Sequence, residues 1–231
     1  MRRATTVLLA AVALTGLAAA GLLAAGCSSD TAGVPDDAVA TVGDVTVTQS
    51  DFRQLLKQAE TQMKAAGMTV PEKGSDDYDR YVAQIVQYLV QEQVVTQSAA
   101  DLGVEVTEKD VDEQIKELED AYGGEDKVVT LLKEQGMTME LLRRSIRGQT
   151  LSQRAVAVVT KEATVSDEAV KAYWDAHKSQ YQKDKKADTL AEARETIEQT
   201  LLAAEQQRIW NAWLDERVKE LGVAYAEGYD P

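Results

Sequence analysis

The most constraining feature of this chain lies near its C-terminus, where a helical pattern runs from about Asp188 to Leu221. Leu190, Ile197, Leu201, Ile209, Trp213 and Leu221 mark its buried side, at spacings that suit a helical repeat. At ~1.5 Å per residue such a helix is about 50 Å long. A compact domain built from 231 residues cannot bury that length throughout, so the helix is expected to bridge parts of an extended molecule. The rest of the composition agrees with helix. Only 14 Gly, 3 Pro and 5% aromatic residues leave little material for the turns and strands of an all-β fold. The 44% apolar content supports a real core in one domain or two small ones, and 28% charged residues argue against a multi-span membrane protein.

Upstream, the pattern is a short β-rich opening followed by helices. Ala38–Val42 and Val45–Thr48 flank a Gly43-Asp44 turn signal with β-branched residues, which predicts two strands. Thr48 and Asp51 form a capping-box-like start for a helix carrying Phe52, Leu55, Leu56, Ala59 and Met63 on one face. After a loop from Gly67 to Asp77, a longer helix is predicted from Tyr78 to Leu102, with Gly103 as its C-cap. Thr107 with Asp110 opens a third, closed by Gly123-Gly124. A short helix follows around Val128 to Lys133, and Thr138 and Ser166 cap two more. Gly222–Tyr225 reads as a last strand that can join the N-terminal hairpin. The fold class expected is mainly α with one small sheet.

Scarcity excludes much chemistry. The chain has one histidine, His177, and one cysteine, Cys27, with a net charge of −14. No structural zinc site can form from that set within one chain, and no intramolecular disulfide is possible. Nucleic acid is disfavoured as a partner, because its recognition rests on Lys and Arg neutralising phosphates. Glu117, Glu119 and Asp120 have the spacing of a solvated helix face rather than of a hydrolytic carboxylate pair. Gly74–Asp79 is too short for a calcium loop. No nucleophile stands near His177 in sequence, so no catalytic residue, metal or cofactor is expected.

The N-terminus reads as an address. Arg2 and Arg3 precede an uncharged, Ala- and Leu-rich run from Ala4 to Gly26, the layout of a secretory signal. The run ends Leu23-Ala24-Ala25-Gly26-Cys27, which resembles a bacterial lipobox, with Ala24 where leucine is more usual. That resemblance implies cleavage after residue 26, lipid attachment at Cys27, and anchorage to the extracytoplasmic face of the bacterial cell membrane. An uncleaved membrane-spanning helix is the alternative for the same run. Residues 27–38 then form a flexible tether.

Four later segments carry a second resemblance: VATVGDVTVTQSDF at 39–52, LVQEQVV at 89–95 with ADLGVEVT at 100–107, KEQGMTMELLR at 133–143, and VSDEAVKAYWDAH at 165–177. In order and spacing they resemble the SurA-like and PrsA-like exported chaperones, whose fold is related to the peptide-binding part of trigger factor. The resemblance implies a helical chaperone domain over residues 39–181, completed by a long helix and strand over 182–231. One departure matters. Foldase members carry a parvulin prolyl-isomerase domain before the long C-terminal helix. Here only residues 182–189 separate Tyr181 from Leu190, too few for a domain of about 100 residues. The parvulin site also has paired histidines and several aromatics including Phe, whereas this chain has one His and one Phe.

The implied activity is therefore holding non-native, newly exported polypeptides without isomerase chemistry. Two helical lobes joined by the long helix would form a cradle lined with adaptable side chains. Met63, Met68, Met137, Met139, Tyr173, Trp174 and Trp210 are the candidate peptide-binding residues, although Met and aromatic residues at helical spacing more often pack in a core. Trp174 and Trp213 best fit core, and Met68, in a loop, best fits the surface. The alternatives are a lipoprotein assembly factor for one specific partner and, by family label, a peptidyl-prolyl isomerase.

Overall fold

The computed structural model describes residues 34–184 and 187–230. The signal-like run, its cleavage site and Cys27 lie outside the described residues. Strands β1 (Ala38–Val42) and β2 (Val45–Thr48) form the expected hairpin, and β3 (Val223–Tyr225) pairs antiparallel with β1 on its other side. The order is thus β2-β1-β3. Gly43 turns the hairpin at φ +55°, where a side chain would be strained, and its N–H donates to the Gly222 carbonyl at 2.9 Å. Val39, Ala40 and Val42 are fully buried, and the Gln97 amide donates to the Val42 carbonyl at 2.9 Å.

Seven helices follow among the described residues: α1 (Gln49–Ala65), α2 (Asp76–Ser98), α3 (Glu108–Tyr122), α4 (Glu125–Glu134), α5 (Met139–Val159), α6 (Asp167–Lys183) and α7 (Leu190–Leu221). The mainly α class with one small sheet is what the sequence pattern implied. Their starts are set by short polar side chains that satisfy free N–H groups of the first turn. The Thr48 hydroxyl accepts from Asp51 N–H at 3.1 Å, Ser166 accepts from Ala169 N–H at 3.2 Å, and Thr138 accepts from Leu141 N–H at 3.2 Å. At α3 the box is complete, with Thr107 N–H donating back to Asp110 at 2.7 Å. Thr107→Ala is expected to lower unfolding free energy by about 1 kcal/mol, read by urea denaturation.

Helix α2 differs from the sequence expectation at both ends. It starts at Asp76, because Ser75 accepts from Tyr78 N–H at 3.2 Å and three aspartates sit in its first turn. It ends at Ser98 rather than Leu102, where the Val104 N–H closes back onto the Ala99 carbonyl at 2.9 Å and Gly103 takes φ +66°. Leu102 keeps the apolar spacing without remaining helical.

The chain divides into two compact units. The first runs through Ser152 and resumes at Val218. Its cores include the sheet with Val86 and Val94 of α2, and a cluster of Val111, Ile115, Val128, Leu132, Met137, Leu142 and Ile146. The second, Gln153–Arg217, is centred on Val170, Trp174, Ala187, Ala193 and Ile197. Helices α6 and α7 share this one core. Helix α7 belongs to the second unit through Arg217 and carries the chain back to the first, where β3 completes the sheet.

Candidate functional site

The first unit holds a cleft of about 110 Å³ whose walls come from α1, α2 and the start of α5. Leu55, Ala59, Leu89 and Leu141 supply apolar surface. Gln54, Gln58 and Gln62 recur every fourth residue along α1 and so share one face of it. Asp51, Tyr88, Glu92, Arg144 and Ser145 complete the lining. The charged groups meet because α1 begins at the Thr48 cap, which sets Asp51 in the first turn, while α5 brings Arg144 across to it. Arg144 Nη1 lies 2.7 Å from Asp51 Oδ1, and the Thr48 hydroxyl donates to Asp51 Oδ2 at 2.7 Å.

The electrostatics of the two carboxylates run in opposite directions. Burial acts to raise Asp51, but hydrogen bonds from Thr48 and Arg144, with the Arg144 charge, outweigh it and hold the group below its ordinary range. Burial pushes Glu92 up, the Arg144 charge opposes this, and the Asp51 charge adds to it. A carboxylate raised in the folded state is held ionised at a cost that is full above its folded pKa. That cost vanishes below the ordinary carboxylate range, where the group is protonated folded or unfolded. Glu92→Gln is therefore expected to raise the melting temperature at neutral pH by on the order of a few °C. The gain over the parent should disappear below pH ~4, checked by paired thermal melts at the two pH values.

The seven side chains proposed from sequence are dispersed. Met68 is 55% exposed in the loop after α1, and Met63 is half-buried. Met137 is buried, and its Sδ accepts weakly from Gln58 Nε2 at 3.5 Å beside the cleft. Met139 is half-buried and packs against the same cluster as Met137. In the second unit Trp174 is buried, with the Tyr181 ring 5.7 Å away. Tyr173 stacks on His177 at 4.1 Å, and Trp210 stacks on Trp213 at 4.9 Å, both tryptophans half-buried. Met137 and Trp174 thus sit mostly within cores, because methionine and tryptophan at helical spacing also serve as large core fillers. Glu92, Arg144 and the glutamines were not singled out from the sequence, and Asp51 was read there only as part of a helix cap. The available signal was Glu92 itself, a carboxylate between the apolar pairs Leu89-Val90 and Val94-Val95.

Among the described residues no group of three or more His, Cys, Asp or Glu side chains could hold a metal ion. Among them, too, no helix is long and apolar enough to cross a membrane. The connection between Lys183 and Leu190 is short, so no parvulin domain is inserted between α6 and α7.

Comparison with known proteins decides the family. A SurA-like N-terminal domain model matches residues 1–156, well over half of the chain and all of the cleft. The chain belongs to the SurA-like N-terminal domain family. Among curated proteins, it is 25% identical over 168 residues to the foldase protein PrsA of Caldanaerobacter subterraneus subsp. tengcongensis, covering 70% of this chain and 50% of that one. The foldase protein PrsA of Clostridium botulinum strain Hall is 27% identical over 135 residues, covering 56% and 40%. That of Clostridium acetobutylicum is 24% identical over 151 residues, covering 62% and 45%. The chain spans half or less of the length of these relatives. All three of these relatives carry the name foldase protein.

Proposed function

We propose that this protein is a membrane-anchored extracytoplasmic holdase that binds non-native exported polypeptides without isomerising proline bonds. In this reading residues 1–26 are a lipoprotein signal, Cys27 carries the lipid, residues 28–38 tether the body, and the helical part from residue 39 onward does the binding. The observation that carries it is the cleft, which lies wholly within the region matched to the SurA-like domain and mixes leucines with glutamines. Apolar surface accepts varied side chains, while amides can donate to or accept from any backbone, so such a lining suits many clients. The short α6–α7 connection and the lone His177, exposed on α6, support the absence of isomerase chemistry.

The deciding experiment is a client survey with the full chain. Suppression of aggregation for several unrelated unfolded proteins is expected, whereas binding to one folded partner alone would instead identify an assembly factor. A protease-coupled proline-isomerisation assay is expected to stay at background, and a rate above it would replace the holdase reading by an enzyme. Lipid labelling in a bacterial host is expected to mark Cys27, and an unmodified cysteine would remove the anchor from this account.

A further inference from the structure

We propose that Glu92 makes the α1–α2–α5 cleft a receptor for a lysine or arginine side chain on an extended client segment. The inference rests on the holdase reading and names the class of segment that this site takes. Its basis is an imbalance among the charged groups. Asp51 is occupied by Thr48 and Arg144, each at 2.7 Å. The neighbouring arginines of α5 are engaged with α3: Arg143 with Asp112 at 2.5 Å and Glu108 at 3.1 Å, and Arg147 with Glu108. The Glu92 carboxylate, by contrast, forms no hydrogen bond or ion pair among the described residues, its backbone carbonyl alone accepting from Thr96, and Arg144 reaches it only through its field. Its carboxylate occupies space left by Gly148 on α5, where an added Cβ would stand 3.2 Å from Glu92 Oε1.

The cleft therefore carries one negative charge in excess, from Asp51 and Glu92 against Arg144. A neutral occupant would leave Glu92 desolvated and unpaired, and an acidic one would add repulsion. A basic side chain resolves both. Its aliphatic stem suits the walls of Leu55, Leu89 and Leu141, and its charged head can reach the carboxylate. Tyr88, one turn before Glu92 on α2 and 42% exposed, adds an aromatic surface of the kind that favours cations. The volume of about 110 Å³ suits one side chain rather than a folded domain. Along the rim, Gln54, Gln58 and Gln62 are about 6 Å apart on the helix. That interval is close to the ~6.8 Å two-residue repeat of an extended chain, which sets amides beside successive backbone groups.

The test uses the full chain and three labelled, unstructured peptides that are identical except for one central residue: lysine, norleucine or glutamate. Binding is read by fluorescence anisotropy for the parent, Glu92→Gln and a surface control, Glu117→Gln, with circular dichroism confirming that each is folded. The parent is expected to bind the lysine peptide about tenfold tighter than the norleucine peptide, and the glutamate peptide most weakly. Glu92→Gln should abolish the preference, so that the lysine and norleucine peptides bind with the same affinity, and Glu117→Gln should keep it. A Glu92→Gln protein that retains the lysine preference overturns the inference, as does an equal loss in Glu117→Gln, which would assign the preference to overall acidity. A parent that suppresses client aggregation but shows no lysine preference overturns this inference and leaves the holdase standing. A parent that suppresses nothing and binds no peptide overturns both.

Discussion

Replacing Trp174 by alanine is expected to lower the unfolding free energy by about 3–5 kcal/mol. The indole is only 8% exposed and sits among Val170, Ala187, Ala193 and Ile197, with Tyr181 against it. Removing it deletes a large apolar side chain from the core shared by α6 and α7 and leaves a cavity that the small alanines around it cannot fill. Urea unfolding followed by far-ultraviolet circular dichroism reads the loss directly. Trp174→Phe, which retains an aromatic ring, should cost clearly less. A Trp174→Ala protein of unchanged stability that no longer holds clients would instead make this residue part of a binding surface.

Leu142 and Leu141 are expected to separate stability from binding within one pair of neighbours. Leu142 is 1% exposed and packs into the cluster with Val111, Ile115, Leu132 and Ile146. Leu142→Ala should therefore cost about 2–5 kcal/mol, the range for a buried leucine whose site only partly collapses. Leu141, adjacent on α5, is half-buried and lines the cleft. Leu141→Ala should cost much less in urea unfolding yet weaken client holding more, because it removes cleft wall instead of core. Equal effects of the two substitutions on both readouts would show that the cleft wall and the core are not distinct.

Local signals in the sequence identified most elements, and tertiary ones were hidden. Thr48, Thr107 and Ser166 marked helix starts because a cap is made within three residues of itself. Gly123 marked a stop because it supplies the left-handed residue that ends α3. The end of α2 escaped because Leu102 continues the apolar spacing, and only the closure of Val104 onto Ala99 shows that the helix has already stopped. The true start of α2 was legible in Ser75 followed by Asp76 and Asp77, a cap with acids in the first turn. The cleft was not legible at all. Asp51 and Arg144 meet across 93 positions of sequence, and no spacing rule connects them. The methionine candidates were chosen for their chemistry, but periodicity cannot tell an adaptable surface from a core, and Met137 proved to be core beside the cleft rather than its lining.

If the cleft of the first unit holds non-native chains, filling it must abolish holding. Ser145 is half-buried and lines that cleft, so Ser145→Phe should fill it while leaving α5 helical. Aggregation of two unrelated, thermally unfolding client proteins, followed by light scattering with the parent and with Ser145→Phe, tests the claim most directly. The parent is expected to suppress aggregation of both clients, and the filled variant, folded by circular dichroism, to lose most of that suppression. Equal suppression by the two proteins, or none by the parent, would contradict it.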